Sequence, residues 1–431
     1  MLPIQVIQNV VQSEGPGGSR LLSEELPHVH SASIGVWIRG GSRLERGTEQ
    51  GLTHFLEHMV FKGTKRRTAQ RIAEELDAVG GHLDAATSRE HTCFYARVLA
   101  QHLPLACDVI SDILTNSLFR EGDIDKERGV VLEEIRSVED DPDDLVVENL
   151  LMAQYGEHPL ARPVLGSADI IRKVSRETLS GFCTSNYIAP RVTIAAAGKV
   201  LHGDLIRMVE PLLSSLPASG HMPVYVAPVP QLNHRFISKD IEQVHLAMGI
   251  PALRFDHPDR FVLLVLNSLL GGSVSSRLFQ EVREKRGLVY GIYSSAESFR
   301  DSGILVIQTS CEPARYQETA GVIGDVIREV AAGRFEDSEV ERGREQMKGG
   351  MFLALEGTVS RMTRLAASNM YLGRVLPLEE VMKKIDAVSP EAVRALASQL
   401  LVMDKFSSSV VGPGRAQQYQ IPWMAGEAVA A

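Results

Sequence analysis

The segment Gly51-Leu-Thr-His54-Phe-Leu-Glu57-His58-Met-Val-Phe61 sets two histidines four residues apart, with a glutamate directly before the second. On a helix, positions i, i+3 and i+4 share one face, so His54, Glu57 and His58 point the same way. Leu52, Phe55, Leu56, Met59 and Phe61 crowd the same stretch with apolar bulk, which suits a half-buried helix better than a solvated one. Neutral imidazole nitrogen and carboxylate oxygen are donors that zinc takes, and a catalytic zinc site keeps three protein ligands with a fourth position for water. A chance match to this pentapeptide is expected about 0.05 times in a chain of this composition. The plain alternative is a solvated helix that happens to carry two histidines. A metal reading requires one more ligand elsewhere.

Glu127 and Glu134 are candidates for it. Seven residues is almost two helical turns, so both carboxylates fall on one face of a helix expected from about Asp125 to Val138. One can bind a metal while the other orients an imidazole through its second N–H. Helical geometry by itself does not choose between Glu133 and Glu134, and an amphipathic surface helix would show the same charges.

A chain of 431 residues is long for one core and suggests two domains. Pro217, Pro223, Pro228 and Pro230 with Gly220 break helices between Leu216 and Leu232. The expected division is a domain at 1–216, a linker at 217–232 and a domain at 233–431. Each half shows a strand-like run, Ala32 to Ile38 in one and Val244 to Ile250 in the other, followed by an apolar helix, further strands and long charged helices. Glu127-Arg128-Gly129 recurs as Glu341-Arg342-Gly343, in both halves after a phenylalanine turn at Phe119 or Phe335. The fold class is therefore α+β: two homologous domains, each a sheet packed with helices, related by internal duplication. At the same offset Glu134 meets Lys348, so the second copy lacks that ligand.

Composition narrows the function classes. Hydrophobic residues at 44%, charged residues at 23% and aromatics at 6% are globular values. A net charge of -9 and a pI near 5.9 argue against nucleic acid as a partner. The longest apolar-rich run, Phe261 to Leu270, is interrupted by Asn267 and Ser268 and is far shorter than a membrane span. The start lacks a basic region followed by an apolar stretch, and Cys93, Cys107, Cys183 and Cys311 show no C-x-x-C spacing. A soluble protein in a reducing cytoplasm is expected.

His54-Phe-Leu-Glu57-His58 resembles the inverted zinc-peptidase motif H-x-x-E-H of the inverzincins. The likeness extends through Gly51 to Thr64, Gly80-Gly-His-Leu-Asp-Ala-Ala-Thr-Ser-Arg-Glu90 and Glu127 to Glu134, which look in order like the first domain of the pitrilysin family. Leu270-Gly-Gly-Ser-Val-Ser-Ser-Arg277 and Arg283-Glu-Lys-Arg-Gly-Leu-Val-Tyr290 continue it in the second half. In length the chain resembles the short two-domain members, such as mitochondrial processing peptidase subunits and bacterial relatives.

The resemblance implies a zinc-dependent endopeptidase acting on peptides or unstructured segments. Its zinc ligands would be His54, His58 and Glu134, with Glu57 as general base and Glu127 as the acid supporting a ligand. The step from His58 to Glu134 settles Glu134 over Glu133. The strand around Asp84 and Ala85 would take substrate as an added β-strand, although the family more often has asparagine where Asp84 stands. Arg283 and Tyr290 would contact the scissile region. Asp144 and Glu148 look like a pocket for a basic residue near the cleavage site, while Asp141, Pro142 and the acids after them also make an ordinary helix start. The long family members have four domains in one chain, so the partner expected is a second copy, or a related subunit in a heterodimer. The same resemblance would have Arg283 and Tyr290 serve the partner's site. The rival reading is a non-catalytic core or partner subunit of a processing-peptidase-like complex.

Overall fold

A computed structural model, describing residues 10–424 and 429–430, divides the chain into two units. One holds the chain up to Arg136, Pro163–Val224 and Leu353–Leu378; the other holds Ser137–Arg162, Tyr225–Phe352 and the chain from Glu379. The strands are β1 Val10–Glu14, β2 Arg20–Glu25, β3 Ser31–Arg39, β4 His82–Thr87, β5 His91–Leu99 and β6 Val192–Gly198, then β7 His234–Ser238, β8 Val244–Pro251, β9 Val289–Ser298, β10 Gly303–Cys311, β11 Ser407–Gly412 and β12 Val429–Ala430. The helices of the first half are α1 Leu52–Val60, α2 Ala69–Asp77, α3 Leu103–Thr115, α4 Glu121–Asp140, α5 Pro142–Tyr155, α6 Ala168–Ile171, α7 Arg176–Asn186 and α8 His202–Ser215. Those of the second are α9 Arg260–Leu270, α10 Tyr316–Ala331, α11 Asp337–Ala354, α12 Thr358–Leu372, α13 Leu378–Asp386 and α14 Pro390–Leu400.

Each unit is built on one six-stranded sheet, ordered β1-β2-β6-β3-β5-β4 in the first and β12-β7-β11-β8-β10-β9 in the second. Position by position the pairings match. The β2–β6 and β7–β11 pairs are parallel, and β3–β6, β3–β5, β5–β4 are antiparallel like β8–β11, β8–β10, β10–β9. Only the outermost strands differ, β1 running antiparallel to β2 and β12 parallel to β7. This shared topology is what duplication of one α+β domain produces.

Strand β3 shows how a unit is layered. Ala32, Ile34, Val36 and Ile38 alternate onto the main core with α1, α3 and α8, while Trp37 points to the opposite face against Met362, Leu365 and Ala366 of α12. In the second unit Leu246, Met248 and Ile250 of β8 face the main core, and Ala247 faces Val146, Leu150, Leu151 and Tyr155 of α5. Both central strands are buried on both faces. They read as apolar runs more than as alternating ones for that reason.

The two units do not follow the simple division at 1–216 and 233–431 that the sequence suggests, because helices are exchanged between the halves of the chain. Residues 217–233 do lack helix and strand, as their proline density dictates. Yet α5 from the first half belongs to the second unit, and α12 from the second half belongs to the first. A sheet with two apolar faces needs a cover on each, and an amphipathic helix pattern records that a helix is covered without recording by which sheet. Among the described residues no helix is long and apolar enough to cross a membrane, and all four cysteines are free.

Candidate metal centre

Helix α1 is short and would be marginal alone; tertiary contacts fix it. Leu52, Phe55, Leu56, Met59 and Val60 are sealed in the core, leaving His54, Glu57 and His58 on the remaining, half-buried face. Its N-terminus has no capping side chain of its own, because Gly51 sits there in the left-handed region with φ 90°. A Cβ at Gly51 would come within 2.5 Å of the Leu165 carbonyl oxygen, so only glycine fits. The cap comes from Glu45, whose carboxylate accepts the N–H of Gly51 at 2.8 Å and of Thr53 at 2.7 Å. Burial pushes the Glu45 carboxyl up to about 7, against the pull of those donors.

Helix α4 brings in the acids. Ile124, Val131 and Ile135 anchor it, and Glu127 and Glu134 stand almost two turns apart on one side. His54, His58 and Glu134 each direct a donor atom into one space, all within 4.8 Å of one another. Glu134 Oε2 lies 3.7 Å from His54 Nε2 and 3.6 Å from His58 Nε2. Those separations are long for hydrogen bonds and close to the roughly 3.4 Å between donors on a tetrahedral ion with bonds of about 2.0–2.2 Å. Glu134 Oε2 is also buried without a hydrogen-bond partner, a costly state that a cation among these three donors relieves. Glu133, by contrast, is exposed and pairs with Arg136. The donor set fits zinc.

The surrounding groups set protonation. Glu127 Oε2 is 3.1 Å from His58 Nδ1, and its Oε1 is 2.8 Å from Lys62 Nζ. A carboxylate paired with lysine accepts only, so His58 carries its proton on Nδ1 and presents a bare Nε2. Burial, with help from His58, lowers His54 to about 4, leaving it neutral at ordinary pH. Burial also raises the Glu57 carboxyl, opposed by a hydrogen bond that Thr87 Oγ1 donates to Glu57 Oε2.

The structure thus brings His54, Glu57, His58, Glu127 and Glu134 together. Asp84 and Ala85 lie on β4, which is an edge strand, with Asp84 Oδ1 accepting the Ala85 N–H and Oδ2 the Tyr95 hydroxyl. Asp144 and Glu148 sit in the first turns of α5, in the second unit, where Asp141 accepts the Asp143 N–H and caps the helix. Arg283 and Tyr290 also belong to the second unit. Arg283 lies in the last turn of a π-helical segment, Phe279–Glu284, with its guanidinium 4.8 Å from the Phe279 ring centre and 5.9 Å from that of the exposed Tyr290. Sequence reasoning overlooked Glu45, Lys62 and Thr87. Thr87 lies inside a segment already singled out, but nothing in a strand's spacing says that a threonine faces a particular glutamate.

Comparison with known proteins adds an independent line. Residues 20–168 match the insulinase family (peptidase family M16), and residues 173–347 match the peptidase M16 inactive domain. An uncharacterized zinc protease of Mycobacterium tuberculosis is 42% identical over 407 residues, covering 92% of each chain. The uncharacterized zinc protease YmxG of Bacillus subtilis is 39% identical over 396 residues, covering 92% of this chain and 96% of its own. Among solved structures, a peptidase M16 inactive domain from Pseudomonas fluorescens superposes with a TM-score of 0.89 at 22% identity, over 94% of this chain and 98% of that one. A Helicobacter pylori protease gives 0.85 at 19% identity, over 94% and 100%. At such identities the structural likeness speaks for the fold.

Proposed function

This chain belongs to the insulinase family of peptidases, M16, and on that premise we propose that it is a zinc-dependent endopeptidase hydrolysing peptides or unstructured protein segments. The observation that carries the reading is the convergence of His54 Nε2, His58 Nε2 and the unpartnered Glu134 Oε2 on one space, with Glu57 beside it. Held by His54, His58 and Glu134, zinc would supply Lewis-acid polarisation of the scissile carbonyl and would lower the pKa of a bound water toward about 7. Glu57 takes the proton of the attacking water and returns it to the leaving amine. Glu127 holds the Nδ1–H of His58, which keeps Nε2 turned toward Glu134 Oε2, where it would be a ligand to a bound ion. The β4 edge offers main-chain groups to an extended substrate, as strand addition requires.

Substrate contacts by Arg283 and Tyr290, a preference for basic residues through Asp144 and Glu148, and pairing of two copies are finer parts of the same proposal. A non-catalytic partner subunit is the alternative, and it has no need of Glu57. The test is zinc stoichiometry together with cleavage of an unstructured Arg-containing peptide, with and without a chelator, for the parent and for Glu57→Gln. The parent should cleave, the chelator should stop it, and Glu57→Gln should keep about one zinc while losing at least about a hundredfold in rate. Cleavage that survives the chelator, or a fully active Glu57→Gln protein, would sink the mechanism.

A further inference from the structure

A glutamate that carries protons between water and leaving group has three rotatable bonds, and its carboxylate turns freely unless something holds it. Helix α1 fixes only the Cα of Glu57. The hold comes from another element. Thr87, half-buried as the last residue of β4, donates its hydroxyl to Glu57 Oε2. Thr87 Oγ1 also lies 3.3 Å from Oγ1 of Thr92, its cross-strand partner on β5, which is 1% exposed. A hydroxyl has one hydrogen to give. Since Thr87 spends its own on Glu57, which accepts, Thr92 must be the donor between the two threonines. The proton order is then Thr92 to Thr87 to Glu57, a chain in which each bond polarises the next.

The platform under this chain is stiff. The β4–β5 turn is closed by the Ser88 N–H to the His91 carbonyl at 2.8 Å, and Arg43 and Glu90 form a buried ion pair at 2.6 Å across it. Arg43 also donates its backbone N–H to Arg89 at 2.8 Å. Two residues further on, Glu45 caps α1. One loop therefore grips both the hairpin that carries Thr87 and the helix that carries Glu57.

We propose that Thr87 is a positioning residue that locks one oxygen of the Glu57 carboxylate, leaving the other aimed at the water it deprotonates. The proposal rests on the endopeptidase reading above. It assigns Thr87 a part in turnover and none in metal or substrate affinity, because its hydroxyl is engaged by Glu57 and Thr92 and a change of side chain leaves its main-chain groups on β4 in place.

The experiment compares zinc-loaded parent, Thr87→Val and Thr87→Ser on one unstructured peptide, with crystal structures of parent and Thr87→Val. Thr87→Ala stands in for Thr87→Val if the latter does not fold. Thr87→Val should keep about one zinc and a KM within about twofold of the parent, while kcat falls about tenfold or more. Thr87→Ser, which keeps the hydroxyl, should recover to within about threefold. In the crystals Glu57 should hold one carboxylate orientation in the parent and lose it in Thr87→Val. Parent-like kcat in Thr87→Val, or a Thr87→Ser protein as slow as Thr87→Val, overturns the proposal. If the parent binds zinc but cleaves nothing, the endopeptidase reading falls and the crystals decide separately. Glu57 rotated in Thr87→Val then supports the lock, and an unchanged Glu57 carboxylate overturns it.

Discussion

The two units share a sheet order and a helix sequence, yet at the matching place on the long helix one carries Glu134 and the other Lys348. Lys348 is bound to Glu345 on its own helix and, at 2.9 Å, to Asp386. The helix that corresponds to α1 is α9, Arg-Phe-Val-Leu-Leu-Val-Leu-Asn-Ser-Leu-Leu, with neither histidine nor carboxylate. Its Leu263, Leu266 and Leu270 are fully buried, as are Leu52, Phe55 and Leu56 of α1. What the two copies have in common is the apolar pattern that packs a helix on a sheet. What separates them is a handful of polar side chains on the face left over, so the fold tolerated the loss of the site without rebuilding its core.

The exchanged helices differ as instructively. Helix α12 is held on the first sheet by a buried charge: Glu24 of β2, 0% exposed, pairs with Arg361 and lies 3.6 Å from Arg364. Ser33 and Thr358 add a buried hydroxyl contact at 2.8 Å. Helix α5 is held on the second sheet mainly by apolar contact, with Val146 and Leu150 fully buried. Its polar contact, Asp143 Oδ1 to His245 Nδ1 at 2.8 Å, lies where Asp143 is 61% exposed in its side chain. A buried pair loses far more when broken than an exposed one, because the surviving charges stay out of water.

Four substitutions break or sharpen these comparisons. The largest effect is expected from Glu134→Lys, which writes the second copy's residue into the first. Zinc affinity should fall by more than about a hundredfold, because one of three ligands is replaced by a cation. Melting should stay close to the metal-free parent. A fully metallated Glu134→Lys protein would show that the ligand lies elsewhere. Next comes the pair Glu24→Ala and Asp143→Ala. The first should cost about 3–5 kcal/mol in denaturant unfolding, with hydrogen exchange rising in α12. The second should cost about 1 kcal/mol or less. Equal losses would mean that both exchanged helices are held alike. The smallest effect belongs to Lys348→Glu, which should bind no second zinc and shift stability by less than about 1 kcal/mol, since α9 offers no imidazole. A second zinc per chain would overturn the view that one unit alone is equipped.

Much of this was legible from residue types and spacing. The H-x-x-E-H helix runs Leu52–Val60, the expected strands Ala32 to Ile38 and Val244 to Ile250 extend by only a residue or so, and the helix expected from Asp125 to Val138 runs Glu121–Asp140. Proline density suggested a linker at 217–232, and residues 217–233 lack helix and strand. These are local consequences of periodicity and backbone chemistry, so a one-dimensional reading reaches them. The choice of Glu134 over Glu133 came at the sequence level only through family resemblance. In the structure their surroundings part them, Glu133 pairing with Arg136 in solvent and Glu134 turning to the histidines.

Sequence by itself determined the periodic elements, their duplication and the pair of histidines on one helix face, because helix and strand geometry repeat every few residues. Only the tertiary structure decided which sheet α5 and α12 cover, that Glu45 caps α1 from outside it, and that Thr87 holds Glu57. Each of those depends on groups brought together across the chain by burial of apolar surface. That burial is non-directional and leaves no spacing to read. The 30-residue step from Glu57 to Thr87 carries no trace of a contact that two packed elements create.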